Sequence, residues 1–292
     1  MPLEYARTFK IRHYECNAHG HVTDVSYLRY MEEAAFSASA AAGYDLARYG
    51  AMGRLWLIRE TDIEYLRPLR YGDSVEIKTW VADFRRVRSR RAYEFRLAGS
   101  GECVARASTD WVFVESGTGR PATIPPEMIV AFRPEGLPET ALPRVRLRAA
   151  SPPPPGVVKQ RRRVNWQDID PANHVNNSVY LAYVEDGGAQ ALAAHGWPLT
   201  RVWAEGLSIV ARRHQIEYLQ PALLDDELEL ATWIWDITRA RVTRHTGITR
   251  VSDGTLLARV DSTYVWVDRV TQMPTCIPLA FLADFAQNSV NG

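Results

Sequence analysis

The chain repeats itself. Residues 63–81, IEYLRPLRYGDSVEIKTWV, stand 153 positions before residues 216–234, IEYLQPALLDDELELATWI, and nine of the nineteen positions are identical. Composition alone would match about one. The same shift carries His21-Val22 onto His174-Val175, Tyr27-Leu28 onto Tyr180-Leu181, Tyr30 onto Tyr183, Glu32 onto Glu185, Gly43 onto Gly196, Arg88 onto Arg241, and Pro121 and Pro125 onto Pro274 and Pro278. No gap is needed from His21 to Pro125. Solenoid and propeller repeats run to roughly 20–50 residues, so a period this long means one whole domain per copy. The chain is a tandem duplication.

A Pro-rich stretch marks the junction. Residues 133–158 hold Pro134, Pro138, Pro143 and the run Ser151-Pro152-Pro153-Pro154-Pro155-Gly156, a composition poor in amide donors that favours extended, semi-rigid backbone. It should act as a strap packed along the outside of the pair. The expected organisation is therefore domain 1 over residues 1–132, linker over 133–158 and domain 2 over 159–292. With 46% hydrophobic residues, 24% charged residues and a formal net charge of +1, each copy can bury a core and neither binds nucleic acid through bulk charge. Cys16, Cys103 and Cys276 are scattered and odd in number, which argues for a reducing compartment rather than a disulfide framework. The charged opening MPLEYARTFKIR lacks the apolar run of a signal peptide, and no segment reaches the length of a membrane span. A cytoplasmic protein is expected.

Within copy one, residues 25–42 are apolar on most faces and rich in alanine, and Gly43 follows as a stop. That pattern predicts a buried helix. Asp24, and Asn177 in copy two, are the expected N-caps. Copy two carries Gly187-Gly188 in mid-helix at a cost of about 1 kcal/mol per glycine, so either something packs closely there or the helix is locally weak. Downstream, residues 75–81, 91–97, 104–114, 228–234, 243–251 and 257–267 are dense in β-branched and aromatic residues and predict strands. One short strand, one long helix and a meander of longer strands fit an α+β fold in which an antiparallel sheet wraps a buried helix.

The loop Asp170-Pro171-Ala172-Asn173-His174-Val175-Asn176-Asn177 leading into a Tyr-x-x-Tyr helix, and the IEYL(R/Q)P segment, resemble those of hotdog-fold thioesterases, with the 4-hydroxybenzoyl-CoA thioesterase family and the tandem-hotdog acyl-acyl-carrier-protein thioesterases as the nearest groups. The resemblance covers both copies. It implies a double hotdog whose two repeats form an internal pseudo-dimer, a unit that can assemble further into homo-oligomers, and it implies an enzyme that cleaves acyl-CoA or acyl-carrier-protein thioesters without a cofactor or metal, a membrane or a nucleic acid.

Thioester hydrolysis requires a group that activates water or attacks the carbonyl, and donors for the developing oxyanion. In the resembling families an acidic residue stands four positions before the loop histidine, where this chain has Asp170. The bland reading of Asp170-Pro171 is a turn. Helix-terminal amides near Asn177 are the expected oxyanion donors, with His174 and Asn176 as positioning residues and Tyr180 as a substrate contact. Copy one has Asn17 in the place of Asp170, and a neutral amide cannot serve as a base. One catalytic site per chain follows, with Glu15 and its counterpart Asp168 ranked below Asp170. The plant-type pattern is incomplete, because Ala172 replaces its loop asparagine and Pro221-Ala222 its acidic residue and cysteine, so an aspartate mechanism is preferred to a papain-like one.

Arg88, Arg90 and Arg91, echoed by Arg241, read either as a charged edge strand or as a dock for coenzyme A phosphates or an acidic carrier. Cys16, His19 and His21 lack a fourth metal ligand, and no G-x-S-x-G elbow occurs. The alternatives are a hotdog enoyl-thioester hydratase or dehydratase, whose D-x-N-x-x-H loop Asp168–His174 follows imperfectly, and a non-catalytic acyl-thioester binding protein.

Overall fold

The computed structural model describes residues 3–136, 147, 149 and 151–290. The chain divides into two compact units, Met1–Arg146 and Leu147–Gly292. In the first, β1 (Glu4–Lys10) leads to the helix α1 (Asp24–Ala41), then α2 (Leu46–Ala51), β2 (Arg54–Tyr65), β3 (Ser74–Phe84), β4 (Arg88–Leu97), β5 (Cys103–Glu115) and α3 (Pro126–Phe132). The second repeats the order with β6 (Val158–Arg163), α4 (Asn177–Ala194), α5 (Leu199–Ala204), β7 (Leu207–Tyr218), β8 (Glu227–Ile237), β9 (Arg241–Arg250), β10 (Leu256–Asp268) and α6 (Leu279–Asp284). Strands run β1-β3-β4-β5-β2 in unit 1 and β6-β8-β9-β10-β7 in unit 2, all antiparallel. Even the bulges recur at the repeat period, at Val81/Asp83 and Ile234/Asp236. Much of the Pro-rich linker, including Pro138 and Pro143, lies outside the described residues.

Both long helices are where periodicity puts them, but each cap lies one residue earlier than expected. Thr23 caps α1 by accepting from the Ser26 amide, and Asn176 caps α4 by accepting from the Ser178 amide. Asp24 and Asn177 are the first helical residues. Each helix stops at a left-handed glycine, Gly43 at φ 82° and Gly196 at φ 75°, a conformation that costs other residues strain. The helix-glycine question resolves at Gly187, whose carbonyl accepts from Gln160 Nε2 of the edge strand at 2.9 Å and which packs on Leu230.

The inner faces of α1 and α4 bury Tyr27, Leu28, Met31, Ala34, Ala35 and Ala38 in unit 1 and Tyr180, Leu181, Val184 and Ala191 in unit 2. Tyr27 meets Tyr65 edge-on at 5.1 Å, and its counterpart Tyr180 meets Tyr218 edge-on at 5.4 Å. A second apolar cluster closes the end of each unit: Tyr44, Tyr49, Phe84, Phe113 and Phe132 in the first, and Trp197, Trp266, Phe281 and Phe285 in the second. The short helices α2, α3, α5 and α6 supply part of these clusters; none was anticipated as a separate element.

Tyr180 is only 3% exposed and its hydroxyl accepts from the Ala222 amide at 2.9 Å. In this structure it anchors the β7–β8 loop to the helix. Burial pushes its phenol from 10.0 up to about 12. A group whose folded pKa is raised stabilises fully below its unfolded pKa and loses that contribution as pH rises through the folded value. Stability should therefore fall by up to about 2–3 kcal/mol per such group between pH 10 and 12. Tyr180→Phe should flatten this alkaline loss in denaturant melts; an unchanged slope would contradict the assignment.

Candidate active site

The loop before each helix is built on one buried carboxylate. In unit 2 a 3-10 turn over Trp166–Asp168 brings Asp168 inward, where Oδ2 accepts from the Asn165 amide at 2.8 Å and from the Tyr183 hydroxyl at 2.8 Å. In unit 1 Glu15 Oε2 accepts from the Arg12 amide at 2.7 Å and from the Tyr30 hydroxyl at 2.6 Å. Burial first, and then the bond to the carboxylate, push both phenols well above their ordinary range. These two carboxylates, ranked as reserve catalytic groups by sequence, are bolts that fix loop to helix. Their persistence in both copies, each partnered with a tyrosine fifteen residues on, was the available signal.

Asp170 sits two residues further along and is freer. Its Oδ1 accepts from the Ala172 amide at 2.8 Å, while the Asp170 amide donates to the His174 carbonyl and Asn173 closes the turn onto the Asp170 carbonyl. Asn173 takes φ 63°, the left-handed position that Gly20 fills in unit 1. The turn reading and the catalytic reading of Asp170 thus hold together: one carboxylate oxygen shapes the loop, and none of these bonds uses Oδ2. His174 Nδ1 stands 3.7 Å from Asp170 Oδ1 and 3.3 Å from the Val175 carbonyl. The His174 side chain keeps 20% of its surface and that of Asp170 15%, so the pair is sheltered but reachable.

Helix α4 starts directly beyond this pair. Asn176 Oδ1 accepts from the Ser178 amide at 2.9 Å and from its hydroxyl at 2.7 Å, and the Val179 amide donates to the Asn176 carbonyl. The capping bonds leave out the Asn177 amide, the first of the helix and the donor nearest the partial positive charge of its N-terminus. Asn176 therefore shapes the site as a cap.

Unit 1 folds the same loop around an amide. Asn17 Oδ1 accepts from the His19 amide at 2.9 Å and the His21 amide at 3.3 Å, and the Asn17 amide donates to the His21 carbonyl. The neighbours of the histidine differ, however. His21 is held below its ordinary pKa by burial and by the neighbouring Arg70 and His19, where unit 2 has Leu223 and Ala172.

The arginines expected to dock phosphates separate. Arg91 is 6% exposed, with its guanidinium over the Phe132 ring and Nη1 on Thr79 Oγ1 at 3.4 Å, and Arg90 is largely covered with Nε 3.5 Å from Asp110. As adjacent strand residues they lie on opposite faces of the sheet, Arg91 buried and Arg90 keeping 16% of its side-chain surface. Arg88 is half-buried at the start of β4, and Arg241 is exposed beside Asp236 at 4.0 Å.

A sheet wrapped on a capped central helix, twice over, with a carboxylate turn at one helix start, defines a hotdog thioesterase architecture. The chain belongs to the Thioesterase-like superfamily, matched at residues 11–132 and again at 164–285. It is 25% identical over 196 residues, 62% of this chain and 46% of the relative, to a chloroplastic acyl-acyl-carrier-protein hydrolase of Cuphea viscosissima. The chain thus spans about half the length of that curated relative. The acyl-CoA thioester hydrolase YbgC of Escherichia coli is 32% identical over 127 residues, 43% of this chain and 92% of that protein. The structure of a 12:0-acyl-carrier-protein thioesterase from Umbellularia californica superposes with a TM-score of 0.73 at 20% identity, covering 89% of this chain and 93% of the other.

Removing the bolt should cost at least as much as removing the cap. Asp168→Ala leaves a buried phenol and an amide without acceptors and should lower unfolding free energy by about 1–3 kcal/mol. Asn176→Ala should cost about 1 kcal/mol through the lost cap. Chemical denaturation of both variants checks this; a neutral Asp168→Ala would remove the bolt from the account.

Proposed function

We propose that this protein hydrolyses acyl thioesters of coenzyme A or acyl carrier protein to a free carboxylic acid and a thiol. The observation that carries the reading is the Asp170 carboxylate held by one oxygen in a sheltered turn at the start of α4, in the copy that kept it, with Asn17 in the other. The relatives named above as hydrolases of both carrier types support it.

In this mechanism Asp170 Oδ2 takes a proton from water as the water oxygen bonds to the thioester carbon. The carbonyl oxygen gains charge and accepts from the Asn177 amide at the helix start. The C–S bond then breaks, and the departing sulfur takes the proton back from Asp170. His174 lies beside Asp170 and orients it; attack by Asp170 itself on the carbonyl carbon would use the same geometry. Arg88 and Arg241 are the remaining candidates for carrier phosphates among the arginines singled out in the sequence. A reducing, cytoplasmic setting suits the three free cysteines. No helix among the described residues is long and apolar enough to cross a membrane.

Asp170→Asn should reduce thioester turnover at least about a hundredfold with an unchanged circular dichroism spectrum, because general base catalysis is worth about 10² to 10⁴. Wild-type turnover in that variant would eliminate Asp170 as the base. Asn17→Ala should leave turnover within about threefold, since one hydrogen bond away from the reacting carbon contributes about 1 kcal/mol or less. Thiol release over a series of acyl-CoA lengths measures both.

A further inference from the structure

Two tyrosines cross-brace the start of α4 against the sheet. Tyr218 stands in the Ile-Glu-Tyr-Leu segment at the end of β7, where it pairs with Ala258 of β10. Its hydroxyl donates to the Asn177 carbonyl at 3.0 Å. The residue is 6% exposed, and its ring lies edge-on to Tyr180 at 5.4 Å. Tyr180, in the first turn of the helix, accepts from the Ala222 amide through its hydroxyl, and the Ala222 carbonyl accepts from the Val175 amide next to His174. Strand, loop and helix start are thereby closed into one circuit of bonds.

Two peptide planes meet at Asn177. The carbonyl of the plane before it, that of Asn176, accepts from the Val179 amide, and the carbonyl of the plane after it accepts from Tyr218. With both planes held, the direction of the Asn177 amide is fixed. Helix ends fray, and a hydrogen bond weakens steeply once its angle falls below about 120°. A donor on the first turn therefore keeps its aim only if something outside the helix anchors it. The anchor here is a phenol delivered from a strand in register with its neighbour.

We propose, resting on the hydrolase reading above, that Tyr218 is a positioning residue for thioester cleavage: through the backbone of Asn177 it holds the Asn177 amide on the developing oxyanion. The duplication supplies a control. In unit 1 Tyr65 lies edge-on to Tyr27 at 5.1 Å in the same way, in the copy that carries Asn17 in place of Asp170. Ring packing is common to both copies, so replacing either tyrosine by phenylalanine keeps the packing and removes only a hydroxyl. In unit 2 that hydroxyl serves the helix start beside the carboxylate. Loss of a whole oxyanion donor costs about 10² to 10³ in kcat, and a donor that stays in place but loses its aim costs a part of that.

The test compares the whole chain with its Tyr218→Phe and Tyr65→Phe variants in two measurements. One is hydrolysis of dodecanoyl-CoA; the other is the infrared carbonyl stretch of a bound ketone analogue of dodecanoyl-CoA, in which a methylene replaces the thioester sulfur. Tyr218→Phe should lower kcat about tenfold with KM within about twofold. The wild type should draw the ketone stretch below its value in water, and Tyr218→Phe should return it at least about halfway. Tyr65→Phe should leave kcat within about twofold and the stretch where it was. If Tyr218→Phe does not fold, replacement of Tyr218 by 4-aminophenylalanine, a weaker donor on the same ring, should lower kcat at least about threefold and move the stretch the same way. Wild-type kcat in the Tyr218 variants, a stretch that they do not move, or an equal loss in Tyr65→Phe overturns the positioning role and leaves the hydrolase reading standing on wild-type turnover. A wild type that neither cleaves dodecanoyl-CoA nor shifts the ketone stretch overturns both.

Discussion

Everything at the candidate site hangs on a hydrogen bond between a buried carboxylate and a tyrosine on the central helix. Asp168–Tyr183 and Glu15–Tyr30 join the two parts of the chain that the site needs in register, the incoming loop and the first turns of the helix. A carboxylate that also accepts a backbone amide in the turn cannot shift without breaking two charge-assisted bonds. The residues between bolt and helix are thereby confined to a short path that presents Asp170 in unit 2 and Asn17 in unit 1. The fold specifies the position, and the side chain at that position specifies the chemistry.

The two copies show how little the frame changes when the carboxylate of Asp170 is exchanged for the amide of Asn17. Both loops use the same backbone bonds, both use a left-handed residue to close, and both retain the histidine. The difference lies in the charge around that histidine, cationic neighbours in unit 1 and a carboxylate in unit 2.

Much of this was legible in the sequence. A repeat without gaps over more than a hundred residues fixes the domain count, and the change from helical to alternating period identifies the long helix and the strands. The cap was misplaced by one residue because Thr23-Asp24 and Asn176-Asn177 each offer two cap-forming side chains in succession, and only backbone geometry chooses between them. Arg91 resembles a surface charge because strand alternation shows which residues share a face but not what covers that face. The loop-anchoring bond of Tyr180 was not legible either, since its motif shows which side of the helix it lies on but not which backbone amide meets its hydroxyl. The short helices α2, α3, α5 and α6, of six or seven residues, are too brief to show a period at all.

The Asn17 loop also bears on ancestry. Its amide oxygen accepts the two backbone amides that close the turn, and Gly20 supplies the left-handed bend. An aspartate there would need no rearrangement of the chain, only an oxygen in place of an NH2 group. The unit 1 loop therefore has the shape of the acid-bearing loop of unit 2, and in mutational distance it stands one codon change from carrying a carboxylate, beside Arg70 and His19 where unit 2 has Leu223 and Ala172.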